Sequence, residues 1–328
     1  MKILILGITG QDGVILALNL LERGYHVVGV ARGNRFSNKL LMSDRFTYLS
    51  EASYLKICAS RDFWDGMSTV INFFGQTSVS ASFLEPVETI NSNIQLELLT
   101  LDAIRLCSPA TVFVNALSSE MFAPSERKLQ EESDLFPNSP YSAGKICSKF
   151  ISESYRDSFD LCVVNLILFN HESPLRKSHF VTQKIVESIY HIKKGELDTI
   201  VLGNVDVVRD WSWAVDFMGL IIKIIENPEC GTFNVCSGRS QKLYDYLVYV
   251  SEYYNLNIQD YLISDDKNFR VREVLKKYGD NRKARKTFDW KPSHSLEDIA
   301  HLMAKFCHIR HEQPSEYCRE LKKELLIK

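Results

Sequence analysis

Along the first half of the chain, short apolar and β-branched runs alternate with longer stretches of helical spacing. Lys2–Leu6, Val27–Ala31, Phe46–Leu49, Thr69–Phe74, Thr111–Ala116 and Leu161–Phe169 read as strands. Several are continuous apolar runs, the pattern of strands covered on both faces. Between them Val14–Arg23, Pro86–Cys107 and Ser142–Phe159 carry helical spacing, and Pro86 stands at a helix start, where its missing N–H costs nothing. The alternation predicts βαβ units and an α/β fold on a doubly wound parallel sheet.

After Asn170 this rhythm breaks. Residues 171–204 and 241–328 are richer in charge and in isolated helices, while Thr232–Cys236 reads as one more strand returning to the sheet. A second, smaller domain interleaved with the first is therefore expected. The stretch from Glu312 to Lys328 is charged and weakly amphipathic and reads as a solvated helix. No repeats or low-complexity tracts interrupt the chain.

Composition narrows the partners. With 45% hydrophobic residues in 328, there is enough apolar side chain for a large core, which excludes disorder as a general description. Lys plus Arg number 39 against 41 Asp plus Glu, a balance that gives no global pull toward nucleic acid or an acidic membrane. An anionic ligand must be met by local cations. The eight cysteines form no C-x-x-C pair and have no His at zinc-like spacing, so reduced, mostly buried thiols and no metal site are expected. No apolar run approaches the roughly 20 residues of a membrane span, and the expected location is the cytoplasm.

Three motifs carry chemistry. Gly7, Gly10 and Gly13, with Gln11 and Asp12 between them, lie between the first strand and the first helix. Glycines there permit a tight turn and close approach of a pyrophosphate to a helix N-terminus, which predicts a dinucleotide cofactor. The end of the second strand has Arg32 and Arg35 where NAD-binding chains place an acid on the ribose, favouring a 2′-phosphate and hence NADP. Tyr141 and Lys145 share a helix face at i, i+4, where an ammonium is expected to lower the phenol pKa and make it a base. Ser118 and Glu120 follow a predicted strand, and if the extended geometry persists they share a face of one cleft.

In this order and at these separations, the motifs resemble the extended short-chain dehydrogenase/reductase family, and within it the GDP-mannose 4,6-dehydratase branch. More specific strings support this: Gly75-Gln76 with Ser82-Phe83, Ser119-Glu120, Ser139-Pro140-Tyr141, Asn170-His171-Glu172-Ser173-Pro174, Phe180-Val181-Thr182-Gln183-Lys184, Arg209-Asp210-Trp211 and Glu273-Val274 followed by Gly279-Asp280. The resemblance implies a Rossmann-like domain over residues 1–170, with 205–240 returning to it, and a substrate domain from 171–204 and 241–328.

It also implies the chemistry. Tyr141, assisted by Lys145 and Ser118, would take the hydroxyl proton as hydride leaves carbon 4 of a nucleotide sugar. Glu120 would remove the carbon 5 proton, water would leave carbon 6, and the hydride would return there. Ser82, Asn170, Lys184, Arg209, Arg270 and Glu273 would bind substrate, with Lys184, Arg209 and Arg270 around its diphosphate. The loop after Gly33 is shortened relative to the family, which points to a homodimer rather than a tetramer. A 4-keto reductase or epimerase on the same fold is the alternative, and a dinucleotide-sensing regulator is the reading from another class. His171 reads as a shaper of the cleft, Trp211 and Trp213 as core, and Lys276-Lys277 as a solvated face.

Overall fold

A computed structural model describes residues 1–34, 37–265 and 274–327. Arg35, Arg270 and Glu273 lie outside the described residues. The chain begins with β1 (Lys2–Leu6), α1 (Gln11–Glu22), β2 (His26–Ala31), β3 (Phe46–Ser50), α2 (Glu51–Ile57), β4 (Met67–Asn72), α3 (Val79–Leu84), α4 (Pro86–Cys107), β5 (Val112–Ser118), α5 (Pro140–Phe159) and β6 (Val163–Leu168). It continues through β7 (Asn170–Glu172), α6 (Val181–Lys193), β8 (Ile200–Leu202), β9 (Val208–Arg209), β10 (Trp211–Trp213), α7 (Ala214–Glu226) and β11 (Gly231–Val235). The last elements are β12 (Gln241–Lys242), α8 (Leu243–Tyr253), β13 (Leu262–Ser264), β14 (Lys276–Lys277), α9 (Arg282–Phe288), α10 (Leu296–Glu312) and α11 (Pro314–Leu325).

β1 to β6 and β11 form one sheet of seven strands in the order β11-β6-β5-β4-β1-β2-β3, with every neighbouring pair parallel. The period-2 alternation sends successive side chains to opposite faces. Ile3, Ile5, Val27, Ile71 and Val114 therefore join the core under α1 and α7, while Leu4, Leu6, Val28, Val70 and Phe113 pack against Leu96, Leu101 and Ile104 of α4. Burial on both faces is why these strands read as continuous apolar runs. The chain reverses its winding between β1 and β4, and ligands of such sheets sit outside the strand ends at that reversal.

Shorter strands frame the site. β7 pairs with β10, β8 with β13, and β9 lies between β12 and β14. Trp211 and Trp213 are buried core residues, as their spacing suggested.

Two expectations need correction. The parallel pairing of β6 with β11 sets the preceding residues, Cys162 and Cys230, side by side, and they form a disulfide with Cα atoms 5.4 Å apart. Cys58, Cys236 and Cys307 are free and buried. The C-terminal helix is also docked rather than solvated all round. Leu321 and Leu325 of α11 are buried, and the Asn19 amide of α1 donates to the Leu325 carbonyl at 2.8 Å and accepts from the Ile327 N–H at 2.7 Å. The apolar stripe of α11 is what docks, and Asn19 supplies the polar half of the contact. Among the described residues no helix is long and apolar enough to cross a membrane.

Candidate active site

A cavity of about 650 Å³ opens at the carboxyl ends of β1, β4, β5 and β6. Its walls include Gly7, Gly10, Gln11, Asp12, Gly13, Arg32, Ser118, Glu120, Tyr141, Lys145, Asn170, Lys184 and Arg209. Ser82 stands apart from these walls. It is buried, and its hydroxyl donates back to the Val79 carbonyl within α3.

The glycine loop is built for close approach. Gly7 has φ +89°, and a Cβ there would lie 2.8 Å from the Phe73 backbone. At Gly13 a Cβ would meet the Gly7 carbonyl oxygen at 2.6 Å. The first turn of α1 therefore packs directly on the loop and lines the cavity with the helix end that favours anions.

That loop is strapped to the stretch after β6. His171 lies 2.9 Å from Asp12 and shares a hydrogen bond with the Phe169 carbonyl, and the Ser173 hydroxyl donates to Gln11 at 2.8 Å. Burial works to raise the Asp12 carboxyl, but the His171 charge and hydrogen bond outweigh it and hold the acid below its ordinary value. Burial likewise opposes the His171 cation, and Asp12 reverses that, leaving the imidazole raised. His171 is thus a shaper of the cleft, as its sequence context suggested.

At the end of β5 the extended geometry does not persist. Ser119–Met121 form a single 3-10 turn, capped by the Ser118 hydroxyl accepting from the Glu120 N–H at 3.2 Å. The cap carries the chain out of the sheet, and the turn rather than strand alternation brings Glu120 into the cavity beside Ser118.

Tyr141 and Lys145 enter from α5, whose start is fixed by Pro140 and by a reciprocal Ser139–Ser142 capping box. The phenol is not lowered by its neighbour. Burial pushes Tyr141 up to about 12, opposed by the Ser118 hydrogen bond and reinforced by the Glu120 charge. The Lys145 ammonium is instead engaged 2.8 Å from the Ala116 carbonyl oxygen. Burial brings Lys145 down to about 8, against the attraction of Glu97.

Cations line the cavity as well. Lys184 donates to the Val201 carbonyl at 3.1 Å, and Arg209 donates to those of Val208 and Leu275 at 2.9 and 3.3 Å. Arg32 is exposed and lies 3.5 Å from Glu88.

A family model described as GDP-mannose 4,6 dehydratase matches residues 4–303. The chain belongs to the GDP-mannose 4,6-dehydratase family. It is 33% identical over 321 residues to GDP-mannose 4,6 dehydratase 1 from Arabidopsis thaliana, covering 92% of this chain and 88% of that one. It is 30% identical over 340 residues to GDP-mannose 4,6 dehydratase from Homo sapiens, covering 92% and 89%. Among solved structures, RMD from Pseudomonas aeruginosa complexed with NADPH superposes with a TM-score of 0.78 at 19% identity, over 94% of this chain and 99% of that one. UDP-glucuronic acid 4-epimerase from Bacillus cereus, in complex with UDP-glucuronic acid and NAD, superposes with a TM-score of 0.81 at 18% identity, over 95% and 100%. At such identities these two likenesses carry the fold alone.

Three residues of this family member escaped the sequence reading. Lys277, expected on a solvated face, is buried, with its ammonium 2.9 Å from the Glu120 carboxylate. Arg176 lines the cavity, stacked 3.6 Å over the Phe180 ring and 3.3 Å from Glu172. Glu97, buried on α4, accepts from Asn115 at 3.1 Å and from the Ser148 hydroxyl, and burial pushes it up to about 8. Glu97 alone left a signal, a carboxylate inside the buried stripe that also holds Asn93, Leu96, Thr100 and Leu101.

Proposed function

We propose that this chain is a GDP-sugar 4,6-dehydratase that converts GDP-mannose or a close relative to the 4-keto-6-deoxy sugar, with NADP as its recycled cofactor. The observation that carries this reading is the pairing of two acid–base groups in one cavity, the Tyr141 phenol and the Glu120 carboxylate, close enough for the charge of one to shift the other. Oxidation at carbon 4 requires a single base. Removal of the carbon 5 proton requires a second.

The cavity suits a dinucleotide. Cβ atoms at Gly7 or Gly13 would collide with backbone, so the loop and the first turn of α1 are the place for the pyrophosphate. Arg32 at the end of β2 is the candidate for a 2′-phosphate, and Lys145 for the ribose beside the nicotinamide. When bound, the nicotinamide supplies a hydride acceptor and donor. The protein's share is proton handling and orientation. Tyr141, hydrogen-bonded to Ser118, takes the carbon 4 hydroxyl proton. Glu120 takes the proton at carbon 5, acidified by the new ketone. Lys184 and Arg209 face the diphosphate, and Asn170 the sugar.

Glu120→Gln separates the two steps. The variant keeps size and hydrogen bonding but loses the base, so a single turnover should leave the cofactor reduced, seen in its near-ultraviolet absorbance, with no solvent deuterium entering carbon 5. Normal multiple turnover by this variant would place the carbon 5 base elsewhere. Stoichiometric consumption of reduced cofactor by the wild-type protein would favour a keto reductase.

A further inference from the structure

Lys277 is one of the largest side chains sealed from solvent, at 2% exposure, and lysine is seldom buried without a partner. Its ammonium lies 2.9 Å from Oε2 of Glu120. It stands on β14, in parallel register with β9, directly opposite Arg209. A buried ion pair commonly adds no more stability than apolar residues of equal volume. Folding alone gives little reason for an ammonium at this place.

We propose that Lys277 is a positioning residue for elimination, holding Glu120 ionised and aimed as the carbon 5 base. The proposal rests on the dehydratase reading above. Lys277 acts through Glu120 and keeps its own proton throughout. In the step it serves, the Glu120 carboxylate takes the carbon 5 proton, and the C–H electron pair becomes the carbon 5–carbon 6 double bond. The carbon 6 hydroxide then leaves with that proton as water.

The surroundings give the sign. Around the cavity, Asp12 comes from α1, Tyr141 and Lys145 from α5, Arg209 from β9 and Arg176 from the segment before α6. The Glu120 charge disfavours a Tyr141 phenolate, and Lys277 places a cation in direct contact with that charge. With a neutral side chain at this position, the partly buried carboxylate loses the cation in direct contact with it, which favours the protonated carboxyl, a form that cannot accept the carbon 5 proton.

The test is the pH–rate profile of Lys277→Met and Lys277→Arg with GDP-mannose. In Lys277→Met, the acid limb of kcat should move up by about one unit or more, so that the loss of activity is greatest at acid pH and disappears as pH rises, with KM little changed. Lys277→Arg should keep the wild-type profile. A loss that is equal at every pH, or an unshifted acid limb, would overturn the proposal. If the wild-type protein does not turn over GDP-mannose, the dehydratase reading fails, and thermal unfolding then tests the pair without activity. Glu120→Gln leaves the ammonium buried opposite an amide, so the double variant with Lys277→Met should be more stable than the two single losses predict. Simple additivity would count against the pair.

Discussion

Arg32 stands at the end of β2 with its side chain 58% exposed and a 3.5 Å contact to Glu88. An exposed pair of this kind is worth little, so the guanidinium can turn to a phosphate at small cost. A charge-assisted pair with a 2′-phosphate contributes about 1.5–3 kcal/mol, or about ten-fold or more in affinity. Arg32→Ala should therefore weaken NADP⁺ binding by about that factor in a calorimetric titration and leave NAD⁺ binding unchanged. Equal weakening of both would detach Arg32 from cofactor choice. Tyr141 teaches a related lesson at the same scale. An i, i+4 lysine on the same helix face suggested a lowered phenol, yet helix spacing says nothing of what the ammonium bonds. Lys145 donates to the Ala116 carbonyl, and burial leaves the phenol raised.

The elements that were legible were those whose burial is a property of the run itself. β1 has the bounds that the pattern predicted, because a strand covered on both faces must be apolar throughout; α4 also has its predicted bounds, starting at Pro86, and the other long strands differ by a few residues at their ends. Strands β7 to β10, two or three residues each, are too short to carry a period. Lys277 was read as solvated for a related reason, since its burial depends on Glu120, distant in sequence. The connection before α10 shows the same long-range logic. Asp216, in the first turn of α7, accepts from the N–H groups of Ser293 and His294 and from the Ser293 hydroxyl, and lies 3.0 Å from His294 Nδ1. Burial works to raise Asp216, but His294 and Ser293 more than reverse it and leave it lowered. For His294, burial lowers and the Asp216 bond and charge prevail, leaving it raised. The Asp216 contribution is present above the ordinary carboxylate pKa and is lost as pH falls through the depressed one. That of His294 is complete below the ordinary imidazole pKa and is lost as pH rises through the elevated one. Asp216→Asn should cost about 2 kcal/mol in denaturant unfolding near pH 5 to 6. The difference from wild type should narrow toward pH 9, as the imidazole loses its charge. A difference independent of pH would assign the contact to hydrogen bonding alone.

Across the whole molecule, a net charge of −2 coexists with a cavity wall carrying Arg176, Lys184 and Arg209, the local concentration of cations that a nucleoside diphosphate requires. The Asp12–His171 and Gln11–Ser173 straps join the glycine loop to the segment that begins the outer half. The glycine loop and the stretch after β6 are thereby held in one frame. Tyr141 and Glu120 both line the cavity within that frame, and the proposed dehydration requires them to act in sequence on one sugar. The most direct test uses GDP-mannose carrying deuterium at carbon 4, with NADP⁺ far below stoichiometric amounts. Many turnovers are expected, with a 4-keto-6-deoxy product carrying the deuterium on carbon 6 and no net change in reduced cofactor. Product that has lost the label, or turnover that stops when the cofactor is consumed, would contradict the proposed dehydration.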